Sequence, residues 1–191
     1  LHTPYTTPSG NMHGMPLSTA LGEDNIEEQV NVLTDDVVLM WNQLKNTGIE
    51  GPKLHANDLV FIGVRDTEPQ EDALIKRLQI TNHKVEDIRR KGCEQIIVET
   101  LDQLKECDII YISFDVDSMD PELTSHGTGT PVKNGISPTE AEIFLTGFAK
   151  EEKTVCIEFV EVNPCLDEKT NKMAEVTFDL LVKTTSELNK N

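Results

Sequence analysis

Two aspartates stand two residues apart at the end of an apolar run, in the stretch 109–120 (IIYISFDVDSMD). On an extended chain Asp115 and Asp117 point to the same side. Carboxylates held that close repel each other unless a cation, a proton or a base lies between them. The pair therefore points to a hard divalent metal ion. A second apolar run, 59–64 (LVFIGV), delivers Arg65, Asp66 and Glu68, and a third, 155–162 (VCIEFVEV), ends in Glu161. Ligands of open α/β sheets bind at the C-terminal strand ends, so one rim would gather all of these acids. His13, flanked by glycines in the loop 1–16, has the side chain best suited to proton transfer near neutral pH.

Other chemistries remain open at this point. Asp66 and Glu161 could cap the helices that follow them. Asp115-x-Asp117 after a strand also fits the nucleophile of an aspartate-based phosphatase, although Met119 stands where a Thr or Val is usual. An EF-hand loop does not fit, because its sixth position would be Asp120 rather than glycine.

The elements that must position these residues alternate. The run 109–116 reads as a strand buried on both faces of a parallel sheet. Helices are expected over 35–46, with Val37, Val38, Trp41 and Leu44 on one face, and over 69–78, opened by Pro69. Another is expected over 92–105, with Ile96, Ile97, Leu101 and Leu104 facing inward. The capping box Ser137-Pro138-Thr139-Glu140 starts a helix over 138–150. The last helix, 171–188, carries Met173, Val176, Leu180 and Leu181 on one stripe. Residues 17–33 give only a weak helical signal. Strands alternating with helices imply right-handed crossovers and a mostly parallel sheet in an α/β fold.

The formal net charge of −17 over 191 residues argues against nucleic-acid or anionic-membrane partners and suits cations or a cationic substrate. Cys93, Cys107, Cys156 and Cys165 form no C-x-x-C pair, which suggests buried thiols in a reduced, cytoplasmic protein rather than a disulfide framework. No stretch is long and apolar enough to span a membrane.

Four motifs then make a resemblance specific. S-F-D-V-D-x-x-D-P at 113–121, G-T-G-T-P at 127–131, V-E-V-N-P at 160–164 and T-P-x-T-T-x-S-G-N-x-H-G at 3–14 resemble arginases of the ureohydrolase family, in order and over nearly the whole sequence. The resemblance implies a three-layer α/β/α fold and two Mn²⁺ ions at the strand ends. It also implies hydrolysis of a guanidinium, L-arginine to L-ornithine and urea, by a hydroxide shared between the metals. Asp115 would bridge the ions and Asp117 would complete one of them. Glu161 would hold the guanidinium, Thr130 would orient that end of the substrate, and His13 would shuttle a proton. Thr7, Ser9 and Asn11 would bind an α-carboxylate, and Glu68 falls where arginases usually have an aspartate for the α-amino group. A homo-oligomer, trimer or hexamer, is implied as well.

The sequence also departs from the family pattern. The D-x-H-x-D motif and the further histidine expected upstream are not in it, so it reads as the C-terminal portion of a single ureohydrolase domain whose first strands lie outside residues 1–191. His2 replaces a usual asparagine, Glu68 is one methylene longer than aspartate, and the loop 121–130 carries one extra residue near His126-Gly127. Agmatinases and formiminoglutamases share the acid motifs, and a non-catalytic ureohydrolase-like subunit or inactive fragment is a further alternative.

Overall fold

The computed structural model describes residues 1–168 and 170–190. The chain forms two compact units, one from residues 1–60 and 67–81, the other from 61–66 and 82–191.

The first unit opens with the loop 1–15, followed by α1 (Pro16–Leu21), α2 (Asp35–Lys45) and α3 (Pro69–Leu78). Pro69 sets the first turn of α3, Glu68 and Glu71 form its capping box, and Gln79 ends it in a left-handed conformation. The apolar face expected of α2 is only partly realised. Trp41 is buried, Val38 and Leu44 are half-buried, and Val37 is exposed. Asp24 anchors Trp41 by accepting from its indole Nε1 (2.6 Å), and it pairs with Lys45, whose ammonium lies over the Trp41 ring.

In the second unit β1 (Val60–Ile62) pairs with β2 (Thr81–His83), the first residue of each being assigned to the other unit. Then come α4 (Val85–Lys91) and α5 (Cys93–Gln103), β3 (Ile110–Asp115), α6 (Pro138–Ala149), β4 (Thr154–Val160) and α7 (Lys172–Leu188). Neither β2 nor α4 shows in the hydrophobic pattern: the first is three polar residues, and the second buries only Val85 and Ile88 among its charges. β3 and β4 run parallel, with Asp115 in register with Val160, and α6 makes the crossover between them. Their inner face puts Phe114, Ile112, Ile157 and Phe159 against Ile96, Phe144, Leu145 and Leu180. Phe114 and Phe159 meet edge to face at 5.5 Å.

β3 is not buried on both faces, contrary to its sequence. Tyr111 and Ser113 alternate outward, Tyr111 is 57% exposed, and both hydroxyls bind the Glu158 carboxylate on β4. The cysteines differ from expectation too. Cys93 is buried, Cys107 is intermediate, and Cys156 and Cys165 are exposed, all as free thiols. No helix among the described residues is long and apolar enough to cross a membrane.

Candidate functional site

The parallel pairing of β3 and β4 brings their C-terminal acids together. Asp115 closes β3, and its Oδ1 accepts the Asp117 backbone N–H (3.0 Å), which tucks the following 3₁₀ turn, Val116–Ser118, under the strand end. The hydroxyl of Thr130 donates to Asp117 Oδ2 at 2.9 Å. Glu161 follows β4 in a left-handed backbone conformation (φ +65°), which costs a non-glycine residue about 1–2 kcal/mol. Its Oε2 reaches the loop before Thr130, so that a Cβ placed on Gly129 would stand 3.7 Å away. Burial, first, and then the charges of Asp117 and Glu161 push the Asp115 carboxyl up to about 7. At neutral pH a proton therefore competes with any cation for the Asp115 carboxylate.

The loop 117–136 that carries Thr130 is tightly braced. The Asp120 carboxylate accepts the backbone N–H groups of Glu122 and Asn134, both at 2.9 Å. Ile136 bridges Met119 through bonds to Ser118 O (3.0 Å) and from Asp120 N (2.9 Å). A side chain at Gly135 would run into the backbone of Ser118, Met119 and Asp120. Further along, the Asn163 N–H bonds Gly127 O at 2.8 Å, which ties the loop to the residues after β4. Ser125 and the Met173 N–H both bind Asp167 Oδ2.

In the first unit the loop residues hold one another. Buried Thr7 accepts the Gly10 N–H at 3.0 Å, and Ser9 accepts the Asn11 N–H at 3.2 Å. His13 is exposed in the 3₁₀ turn Met12–Gly14. Asn31, not marked out by the sequence, donates to Pro4 O (3.1 Å) and Thr7 O (2.8 Å) and so fixes the loop. Glu68 sits at the N-cap of α3, where its backbone N–H binds Glu71. The structure thus gathers Asp115, Asp117, Thr130 and Glu161 in one unit, and Thr7, Ser9, Asn11, His13 and Glu68 in the other.

Oxygen donors such as Asp115 and Asp117 fit a hard divalent ion. Among the described residues no group of three or more His, Cys, Asp or Glu side chains could hold a metal ion. The two aspartates therefore fit as part of a ligand set that these residues do not complete.

The paired ends of β3 and β4, with Asp115, Asp117 and Glu161 upon them, make an α/β scaffold with an acidic rim. The arginase family profile matches residues 1–186, and the chain belongs to that family. It is 36% identical over 183 residues to the arginase of Bacillus subtilis (strain 168), which covers 95% of this chain and 55% of that protein. It is 35% identical to the mitochondrial arginase-2 of Rattus norvegicus, over 95% of this chain and 49% of that one. The crystal structure of Helicobacter pylori arginase superposes with a TM-score of 0.84 at 30% identity, covering 98% of this chain and 61% of that one. The chain spans about half the length of the curated relatives it matches.

Proposed function

We propose that the whole protein is a manganese-dependent ureohydrolase that converts L-arginine to L-ornithine and urea. The supporting observation is the meeting of Asp115, Asp117, Thr130 and Glu161 at the paired ends of β3 and β4. Bound Mn²⁺ would supply a nucleophile at neutral pH by lowering the pKa of water. Asp115 and Asp117 offer it carboxylate oxygens, and Thr130 keeps the Asp117 carboxylate turned. Glu161 holds the planar guanidinium by charge-assisted hydrogen bonds and fixes the carbon to be attacked. The His13 imidazole delivers the proton without which the amine is a poor leaving group. Thr7, Ser9 and Asn11 receive the α-carboxylate, and Glu68 the α-ammonium. Residues 1–191 form the C-terminal portion of one such domain, and the protein works as a cytoplasmic homo-oligomer, a trimer or hexamer.

The test is urea release by the full-length protein with Mn²⁺ from L-arginine, and from agmatine and formimino compounds as competitors. Asp115→Ala should lower kcat at least about 10³-fold, since it removes a carboxylate that would hold the metal supplying the nucleophile. Urea from agmatine alone would move the substrate assignment. Phosphate release from a generic ester would instead make Asp115 an aspartate nucleophile. No urea from any guanidino compound, with under one Mn²⁺ per chain, would mark a non-catalytic subunit.

A further inference from the structure

Four backbone carbonyls converge on one guanidinium beside the acid cluster. Arg65, just past β1, donates from Nε to Lys133 O (3.2 Å), from Nη1 to Ser118 O (3.2 Å), and from Nη2 to Asp117 O (2.9 Å) and to Val132 O. Four of its five N–H donors are thereby used. The acceptors form two short runs, 117–118 and 132–133. One run carries Asp117. The other follows closely on Thr130, whose hydroxyl turns the Asp117 carboxylate. Where Arg65 grips, both ends of the loop that shapes the site are held to a single rigid fork.

We propose that Arg65 is a positioning residue for the acid cluster, fixing the main chain at Asp117 so that its carboxylate is presented to a metal ion. The role rests on the metal reading given under the proposed function. An arginine is needed for a geometric reason. Its planar fork spreads donors over three nitrogens, whereas a lysine has one nitrogen and cannot span two runs of carbonyls. Carbonyl acceptors also leave the carboxylates free, since an arginine paired directly with Asp117 would compete with a cation for it. Arg89 of α4 supplies a natural contrast. Its hydrogen bond goes to Gly135 O at 3.1 Å, and among the described residues none goes from it to the main chain of Asp115 or Asp117.

The experiment uses the full-length protein as wild type, Arg65→Lys, Arg65→Ala and Arg89→Lys. Mn²⁺ is titrated into the metal-free proteins by calorimetry, and amide hydrogen exchange is followed over peptides covering 116–120 and 130–134. Residues that orient a metal ligand from behind typically matter by one to two orders of magnitude, so R65K should weaken Mn²⁺ binding about 10–100-fold. R65K should also speed exchange in both peptides, while R89K keeps its Mn²⁺ affinity and the exchange of 116–120. Should R65A fail to fold, R65K alone decides. Wild-type Mn²⁺ affinity in a folded R65K overturns the proposal, and it does so even if exchange rises, because Arg65 would then brace the loop without serving the ligand. A wild-type protein that binds no Mn²⁺ refutes the metal reading itself. In that case unchanged exchange at 116–120 in R65K refutes the clamp as well, and faster exchange upholds the hold on Asp117.

Discussion

Gly135→Ala puts one methyl group where the loop has no space for it. The added Cβ would stand 2.5 Å from Ser118 O and 2.6 Å from both Asp120 N and Met119 C, all of them main-chain atoms. No rotamer change relieves such a contact, so the two runs of backbone must separate. The bonds lost first are those that join them, Ile136 N to Ser118 O and Asp120 N to Ile136 O. Overpacking typically costs 1–3 kcal/mol and each net hydrogen bond about 1, which sets the expected destabilisation at about 3–5 kcal/mol. The assay is equilibrium urea unfolding of the full-length protein followed by far-UV circular dichroism, with the slope checked so that a shifted midpoint reports stability. Gly147→Ala is the internal comparison. Its Cβ would press on Ile97 Cδ1 at 2.5 Å, the movable end of a side chain, and alanine gains about 1 kcal/mol of helix propensity inside α6. G147A should therefore stay within about 1 kcal/mol of wild type. A G135A protein no less stable than G147A would refute the reasoning, because backbone contact would then be no worse than contact with a flexible side chain.

Three further outcomes follow from particular contacts. Asp24→Ala leaves the indole N–H of buried Trp41 without its acceptor and should cost about 1–3 kcal/mol in the same unfolding assay, with Asp24→Asn costing less; equal losses would count against the hydrogen bond. Burial, helped by the charges of Glu140 and Glu94, pushes the Cys93 thiol up to about 11, so iodoacetamide at pH 8 should spare it in the native protein while labelling exposed Cys165; comparable labelling of both would contradict the structure. Burial holds the His83 imidazole below its usual value against the pull of Glu99, so the unfolded chain takes up the proton first as pH falls. Stability contributed by neutral His83 is present above about pH 6.5 and is lost as pH drops through the folded value. Between pH 7.5 and 5.5 the wild type should therefore lose more stability than His83→Gln; parallel slopes would exclude the effect.

What the sequence disclosed depended on whether side-chain identity carried the information. Ser137, Pro138 and Glu140 announced the start of α6, and Pro69 that of α3, because a capping box and a first helical turn need particular side chains. That Asp115, Asp117 and Glu161 meet was legible because acids at the same ends of parallel strands fall on one rim. β2 and α4 were not, since Thr81–His83 has no apolar member and α4 turns just two apolar side chains inward. Arg65 could be placed at a strand end, but its use could not be read: its four acceptors are carbonyls, which every residue has. Gly135 was silent for the same reason, its neighbours being backbone atoms. The burial of β3 was overestimated because a β-branched run reports what a strand can tolerate, whereas Tyr111 and Ser113 turn their hydroxyls to Glu158 on the outer face.

The pairing of β3 with β4 also sets an order of events in time. Asp115 and its register partner Val160 are about 45 residues apart, so joining them closes a loop at a cost of about 3 kcal/mol before any contact compensates. Parallel pairs of this kind form slowly. On a ribosome adding 5–20 residues per second, β4 emerges roughly 2–9 s after β3. Throughout that interval Asp115 and Asp117 exist without Glu161, so the acid cluster at the strand ends stays incomplete until β4 has paired.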